Sequence, residues 1–274
     1  MAVVGFLCPM DKDVKSPTPG RCPRCGMKLV ANLPEPMEYR LELKSRPVPI
    51  RHAQPLRMEL ALSHPKTGAR IREYEMLHER PFHLFLVSQD LSYFAHEHPT
   101  PRPDGSFVFD GKLPLNSAYR LVADCFPKEG TPQFLAKTIF TAGADLTPPP
   151  RLEEDLSPKS GPNLRVELAT EPARPIAGKE TLLFFRLSPG DGVEQYLAAW
   201  GHMLVASWDL IDLVHDHPLY VDGVSPVDFQ GRSPKQVQFN VIFPREGMYR
   251  VWTQFQRAGM VNTVAFTLGV SSLK

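Results

Sequence analysis

The chain has 274 residues, of which 42% are hydrophobic and 29 are prolines, and its formal net charge is +1. This length allows one large domain or two to three small ones, and the near-zero charge argues against binding to nucleic acid or an anionic membrane. No apolar run approaches the roughly twenty residues that span a bilayer. The start, MAVVGFLCPM, shows no signal peptide. Short alternating apolar runs and many prolines favour an all-β protein.

Residues 1–34 form a small module rich in cysteine and methionine. A Cys-x-x-Cys motif follows a third cysteine by fourteen residues, which is typical of a metal site. The candidate ligands are Cys8, Cys22, Cys25, Met10 and Met27. Three thiolates and two thioethers suit Cu(I) or Ag(I), whereas zinc would need a fourth ligand such as Asp11. The alternatives are a disulfide between Cys22 and Cys25 or a redox pair.

The pattern C-P-M followed by P-G-x-C-P-x-C-G-M-x-L resembles the short heavy-metal-binding domain of copper- and silver-exporting ATPases and of periplasmic efflux adaptors. The resemblance covers about residues 6–34 and implies soft-metal binding at the three cysteines, with the two methionines as helpers. The family usually has histidine after C-P-M, where this chain has Asp11. A module this short has almost no core, so we expect it to need metal to fold.

Residues 35–145 predict a first β-sandwich. After a proline-rich start, PLRMELALSHP, GSFVFDGKL, AYRLVADCF and LAKTIFTAG are typical of strands. Roughly seven short strands separated by turns are typical of an immunoglobulin-like sandwich. We expect Cys125 to be a small buried hydrophobe. We expect His52, His64 and His78 to be solvated or structural.

A proline-rich linker is predicted over residues 146–162, and residues 163–274 predict a second sandwich that repeats the first. LRVEL matches LRMEL, and MYRVWTQFQ matches AYRLVADCF, with Tyr249 on Tyr119. Insertions lengthen the loops before His202 and after His217. The predicted fold is therefore mostly β, with a Cys/Met metal knuckle followed by two tandem immunoglobulin- or cupredoxin-like β-sandwich domains.

The most repeated stretch of the two sandwiches carries six of the nine histidines. RPFHLFLVSQDLSYFAHEHP aligns without a gap on the second copy, from His83 on His202 to Pro99 on Pro218. Each copy has one histidine, twelve further residues and then His-x-His-Pro. Identical residues occupy seven aligned positions: His83/His202, Ser88/Ser207, Asp90/Asp209, Leu91/Leu210, His96/His215, His98/His217 and Pro99/Pro218.

This spacing predicts that three imidazoles converge in each copy. Side chains at i and i+2 of a strand point the same way, and a turn after the apolar run would return His-x-His beside the first histidine. Three imidazoles are typical ligands of zinc or copper. The candidates are His83, His96, His98, His202, His215 and His217. Asp90 and Asp209 could hold imidazole tautomers as second-shell groups, or form turns. The alternative is a histidine cluster that only satisfies hydrogen bonds.

The sandwich domains resemble a family of bacterial extracytoplasmic immunoglobulin-like proteins that carry this histidine motif, often beside the heavy-metal module. The resemblance implies metal handling in the periplasm or outside the cell, although the chain as given would also fit the cytoplasm. No catalytic role attaches to the motif.

We therefore expect a metal-binding protein that handles copper, with Cu(I) at the Cys/Met module and Cu(II) or Zn(II) at two three-histidine sites. Its expected partners are metal ions and a metal transporter or efflux component. One alternative is an interaction module of an efflux complex whose histidines are structural. Another is a zinc or copper enzyme with an open fourth position. The repeat places no obvious base or nucleophile, so we expect binding rather than catalysis.

Overall fold

In the computed structural model of the protein, the described residues are 5–8, 10, 14–31, 37–128, 130–144 and 151–273. Over these ranges the chain forms β-strands, turns and loops, with no helix. The prediction of a mostly β protein built from sandwiches is confirmed. Within the same ranges, no helix has the length and apolarity to cross a membrane.

The N-terminal module is a small antiparallel sheet in the order β2-β1-β3. Its strands are β1 (Phe6–Leu7), β2 (Lys15–Ser16) and β3 (Val30–Ala31). Between β2 and β3 the chain forms a tight knuckle, in which Gly26 N donates to Cys22 O at 2.9 Å. Gly26 has a φ of 76°, a conformation that glycine adopts at no steric cost. The knuckle therefore brings the Cys-x-x-Cys motif back onto the small sheet.

The first half of the remaining chain, residues 37–144, forms two sheets. Their strands are β4 (Arg40–Arg46), β5 (Leu56–Ser63), β6 (Tyr74–Glu75), β7 (Phe82–Ser88), β8 (Phe94–Glu97), β9 (Thr100–Pro101), β10 (Phe107–Gly111), β11 (Ala118–Pro127) and β12 (Gln133–Phe140). One sheet has the order β4-β5-β10-β9, and the other β12-β11-β7-β8, with β6 on β11. Buried residues of both sheets share one core, to which β5 contributes Met58 and Leu60 and β7 contributes Leu84.

The second half, residues 151–273, also forms two sheets around one core. Its strands are β13 (Lys159–Ser160), β14 (Arg165–Glu171), β15 (Glu180–Ser188), β16 (Val193–Glu194), β17 (His202–Ser207), β18 (Leu213–Asp216), β19 (Tyr220–Val221), β20 (Gln236–Ile242), β21 (Gly247–Arg257) and β22 (Met260–Val270). The sheets have the orders β13-β14-β15-β20-β19 and β16-β21-β17-β18, with β22 on β21.

The linker predicted over residues 146–162 differs from the structure. Residues 146–150 lie outside the described ranges, but residues 151–162 are part of the second half. Asp155 N donates to Thr267 O at 2.8 Å, and β13 pairs with β14. Pairing with an existing sheet edge satisfies backbone groups, so the proline-rich composition did not prevent this segment from ordering.

A buried tyrosine occupies the equivalent position in each half. Tyr119 Oη donates to Leu115 O at 2.9 Å, and Tyr249 Oη donates to Arg245 O at 2.9 Å. A tyrosine bonded to the backbone a few residues upstream is a feature of immunoglobulin-like sandwiches. Assignment of both halves to that class stays a prediction.

The two halves pack through the outer faces of the sheets that contain β7 and β17. Alternation along β7 sends Leu84 into the first core and Phe85 into this interface. The shared apolar cluster is formed by Phe85, Val87, Leu91, Val122, Leu204, Ala206 and Trp252. Because β7 is covered on both faces, all of its residues are buried. The interface matters for function because the repeated histidines lie on the same faces.

Candidate metal centre

The three N-terminal cysteines lie close together as thiols. Cys8, Cys22 and Cys25 each place a sulfur within 4.8 Å of the others, and Cys8 Sγ lies 3.4 Å from Cys25 Sγ. Arg24 N donates to Cys22 Sγ at 3.4 Å, as expected for a knuckle whose amides face a thiolate. All three are unoxidised. This arrangement supplies three soft donors to one ion.

The methionines predicted to help are not part of the buried thiol cluster. Met10 is 64% exposed and Met27 is 43% exposed, whereas Cys8 and Cys22 are buried. The clustered donors of the module are therefore three thiols, of which those of Cys8 and Cys22 are buried and that of Cys25 is partly exposed, and ligation by the thioethers stays a prediction. Asp11, the candidate fourth ligand, lies outside the described residues.

The first histidine triad (His83, His96 and His98) converges where β7 and β8 meet. Each residue offers one ring nitrogen within 4.8 Å of the other two. The register pairs Phe85 with His96, so the His-x-His returns beside the first histidine as predicted. His83 Nδ1 lies 2.9 Å from His96 Nε2.

The second histidine triad (His202, His215 and His217) converges in the same way between β17 and β18, again within 4.8 Å. His217 Nε2 lies 3.0 Å from His202 Nδ1. His202 is 2% exposed. Both triads are therefore clusters that the sequence spacing anticipated.

Backbone carbonyls determine which nitrogen of the leading histidines points into each triad. His83 Nε2 lies 2.9 Å from Leu77 O, and His202 Nε2 lies 2.8 Å from Tyr196 O. A carbonyl oxygen only accepts, so Nε2 carries the proton and Nδ1 presents its lone pair to the triad. Both carbonyls belong to tight turns with two central residues at positive φ, His78 and Glu79 in the first half and Leu197 and Ala198 in the second.

The second histidine of each triad is held by a side chain of the opposite half. His96 Nδ1 donates to Gln254 Oε1 at 2.7 Å, and Gln254 Nε2 donates to Thr263 Oγ1 at 3.0 Å. His215 Nδ1 donates to Asp124 Oδ2 at 2.6 Å. In both cases the proton lies on Nδ1, so Nε2 presents a lone pair to its triad.

These tautomers leave nitrogen lone pairs without protons between them. In the first triad His83 Nδ1 and His96 Nε2 both face inward as acceptors at 2.9 Å. Within the described part of the chain, His98 Nε2 and His215 Nε2 are buried and have no hydrogen-bond partner. Two acceptors in contact repel unless a cation lies between them, and two nitrogens each about 2 Å from one ion lie about 3 Å apart. The donor sets therefore fit a metal ion.

Burial favours the neutral form of five of these imidazoles. It lowers the pKa of His98 to about 4 and that of His202 to about 3, and it lowers the pKa values of His83, His96 and His217 as well. A metal ligand must be the neutral imidazole, so burial prepares the ring for a cation rather than a proton.

The two triads adjoin each other across the interface between the halves. The ring centroids of His96 and His202 are 5.5 Å apart, and those of His83 and His215 are 5.9 Å apart. Within one triad, His83 and His96 are 5.2 Å apart. The separate sites expected from the sequence therefore form one group of six imidazoles.

A seventh imidazole lies on this group. His78, which we expected to be solvated or structural, lies in the turn before β7 and stacks on His217, with the two ring centroids 3.6 Å apart. The stacked geometry covers the ring face rather than aiming a nitrogen at the second triad. His52 is exposed, and His64 Nδ1 accepts Lys66 N at 3.2 Å in a turn, so these two lie apart from the centre.

The prediction that Asp90 and Asp209 could hold imidazole tautomers is corrected. Asp90 Oδ1 accepts Ser88 Oγ at 2.5 Å, and Asp209 Oδ1 accepts Ser207 Oγ at 2.6 Å. Asp209 also pairs with Arg245 at 3.1 Å. These bonds close the turns after β7 and β17, so each carboxylate is engaged away from the imidazoles.

The groups that do hold imidazoles, Asp124 and Gln254, were missed by sequence reasoning. They occupy equivalent positions of AYRLVADCF and MYRVWTQFQ, five residues after the paired tyrosines. The register places Asp124 opposite His83 and Gln254 opposite His202. A polar residue at the same place in two repeated strands was the available signal.

Two family models match parts of the chain. The heavy metal binding domain matches residues 6–32, and a domain of unknown function (DUF8832) matches residues 159–272. The predicted N-terminal heavy-metal-binding module is therefore confirmed. Together with the thiol and imidazole clusters, it makes metal ions the partners that the chain is equipped to bind. The search of curated proteins found no match.

Solved structures resemble the backbone only weakly. Red sea bream transglutaminase is 10% identical over 84% of this chain and 31% of its own, with a TM-score of 0.25. The Yersinia pseudotuberculosis adhesin InvE is 13% identical over 84% of this chain and 60% of its own, also at 0.25. A two-domain fibronectin type-III segment of chicken tenascin is 9% identical over 85% of this chain and 98% of its own, with a TM-score of 0.23. The chain spans less than two thirds of the first two proteins, and these TM-scores carry no argument.

Proposed function

We propose that the protein handles copper in the cell envelope, taking Cu(I) at the N-terminal thiols and holding Cu(II) or Zn(II) at the two histidine triads. The observation that carries the proposal is the inward lone-pair contact of His83 Nδ1 and His96 Nε2 at 2.9 Å. The outer bonds of both rings favour protons on the far nitrogens, and a metal ion bound by the two near nitrogens would relieve the repulsion between their lone pairs.

The two kinds of donor suit different oxidation states. Three thiols at residues 8, 22 and 25 form a soft set, which favours Cu(I). Neutral imidazoles are harder donors and suit Cu(II) or Zn(II). A tether between such sites raises the effective concentration for transfer from one to the other. Capture at the thiols and storage at the imidazoles is therefore the mode of action that we infer.

The cellular setting is part of the same proposal. Two tandem immunoglobulin-like domains behind a heavy metal binding domain would place the protein in the periplasm or outside the cell, with a metal transporter or efflux component as its partner. The residue resemblance and the equivalent buried tyrosines, Tyr119 and Tyr249, support this assignment.

Metal stoichiometry tests the proposal. Untagged protein, stripped of metal and loaded separately with Cu(I) and Cu(II), is analysed for metal content beside three variants. One replaces Cys8, Cys22 and Cys25 with serine, the second is His98→Ala and the third is His217→Ala. The last two change a partly exposed member of each triad, which limits damage to the core. We expect the cysteine variant to lose one Cu(I) and each histidine variant to bind one Cu(II) at least tenfold more weakly.

Matched controls separate a lost ligand from a damaged fold. Cys125→Ala removes the buried cysteine of the first core, and His52→Ala removes an exposed histidine. Both should retain all metal, and circular dichroism should show every variant folded. Histidine variants that fold and bind Cu(II) and Zn(II) as the unchanged protein does would refute the metal role of the triads. The sandwiches would then be interaction modules with structural histidines.

A further inference from the structure

We propose that the two triads form one binuclear centre shared by the two halves, in which the ion sites are unequal. This inference rests on the proposed metal binding at the histidines. It adds that the two ions are neighbours and that each site depends on the opposite half.

Proximity is the first argument. His96 of the first triad lies 5.5 Å from His202 and 5.8 Å from His215 of the second, between ring centroids. The rings of His202 and His215, which belong to one triad, are 5.9 Å apart. The separations across the interface, from 5.5 to 6.5 Å, overlap those within the triads, from 4.6 to 5.9 Å. Ions bound by the inward nitrogens would therefore occupy adjacent positions, as in two-metal sites.

Reciprocal hydrogen bonds across the interface are the second argument. His96, from the first half, is oriented by Gln254 of the second, and His215, from the second half, is oriented by Asp124 of the first. Bonds of this kind fix the tautomer and the ring direction of a metal ligand. Neither triad is therefore complete without the other half, and the interface is part of the site.

The difference between those two partners makes the sites unequal. Asp124 carries a carboxylate, whereas Gln254 offers a neutral amide oxygen at the equivalent position. The carboxylate orients the His215 ring and adds a negative charge near the second site. His78 stacks on the second triad, whereas the equivalent residue of the second half is Leu197. The second site is thus the better site for a divalent ion.

Electron paramagnetic resonance during Cu(II) titration of the metal-free full chain tests the proposal. To confine Cu(II) to the imidazoles, the titration uses the chain with Cys8, Cys22 and Cys25 changed to serine. Up to one equivalent we expect a single axial Cu(II) spectrum. At two equivalents we expect dipolar broadening and a half-field transition. The integrated signal intensity per bound Cu(II) ion should also fall.

Variants identify the source of the coupling. His98→Ala and His217→Ala each weaken one triad and should restore the uncoupled spectrum. Adding one equivalent of Zn(II) before one equivalent of Cu(II) should have the same effect, because each Cu(II) ion then has a Zn(II) neighbour, which has no unpaired electron. In Asp124→Asn the two sites should fill together rather than in sequence, because both triads then have a neutral amide behind their second histidine. The exposed His52→Ala change should leave the coupling intact.

The outcomes separate this inference from the proposed function. Two bound Cu(II) ions that give two independent axial spectra would overturn the binuclear centre while leaving metal binding in place. Coupled ions that fill the two sites with equal affinity in the cysteine-to-serine chain would overturn the inequality of the sites. Failure to bind Cu(II) at the imidazoles would overturn the proposed function together with this inference.

Discussion

The substitution Asp124→Asn removes the negative charge of the side chain that holds His215 and keeps the shape and the acceptor oxygen of that side chain. The asparagine oxygen can still accept from His215 Nδ1, as Gln254 does for His96 in the other half. The bond is 2.6 Å long, and the side chains of His215 and Asp124 are only 3% and 18% exposed, so solvent screens it little. Loss of such an outer carboxylate typically costs about 10- to 100-fold in metal affinity, which corresponds to about 1.4 to 2.7 kcal/mol.

A chelator-competition titration with Zn(II) measures this loss directly, because it reports the affinity of each histidine site in turn. We expect the tighter site to weaken by this factor while the other changes little. Asp90→Asn is the matched control, since Asp90 bonds Ser88 and Ser92 in a turn and should leave both affinities unchanged. Equal affinities for Asp124→Asn and the unchanged protein, or an equal loss in Asp90→Asn, would refute the assigned role.

Three further predictions concern stability. Phe85 lies at the interface between the halves and is 1% exposed, so Phe85→Ala should lower the free energy of unfolding in urea by about 3–5 kcal/mol. Phe140 is 51% exposed, so Phe140→Ala should lower it far less. Equal losses in the two variants would contradict the packing at the interface. Tyr119→Phe should cost about 1–3 kcal/mol, because it leaves the partly buried N–H and C=O of Leu115 unpaired. No loss of stability would exclude that role of the tyrosine hydroxyl. The metal-free protein should lose stability as the pH falls from about 6.5 towards 4, because the unfolded histidines bind protons near 6.5 while burial lowers the pKa of His98 to about 4. A thermal midpoint that is flat over this range would contradict the neutral cluster.

Much of the fold could be predicted from local patterns. Alternation in LRMELALS and the short spacing of turn signals are properties of neighbouring residues, so they predict strands directly. The internal repeat then predicts that the same arrangement occurs twice. The proline-rich segment was mistaken for a linker at its C-terminal end, because its pairing with β22 through Asp155 and Thr267 joins residues more than a hundred positions apart.

The members of each histidine triad were also predictable, because a strand, a turn and a returning strand form one local hairpin. The side chains that hold the triads from the opposite half, Asp124 and Gln254, were not predictable in this way. Asp90 and Asp209 were candidates because they are near in sequence and repeated, with a role in turns as the alternative. The alternative is what the structure has, since each carboxylate bonds the nearest hydroxyl, of Ser88 or Ser207.

The amino-acid sequence by itself determined the strands, the thiol knuckle and the two sets of three imidazoles, since each depends on spacings within about twenty residues. Only the tertiary structure decided that the two sets meet. That meeting requires the outer faces of two sheets to pack, which places His96 against Gln254 and His215 against Asp124. Sheet-on-sheet packing depends on the complementary shape of distant residues, and no local pattern encodes it.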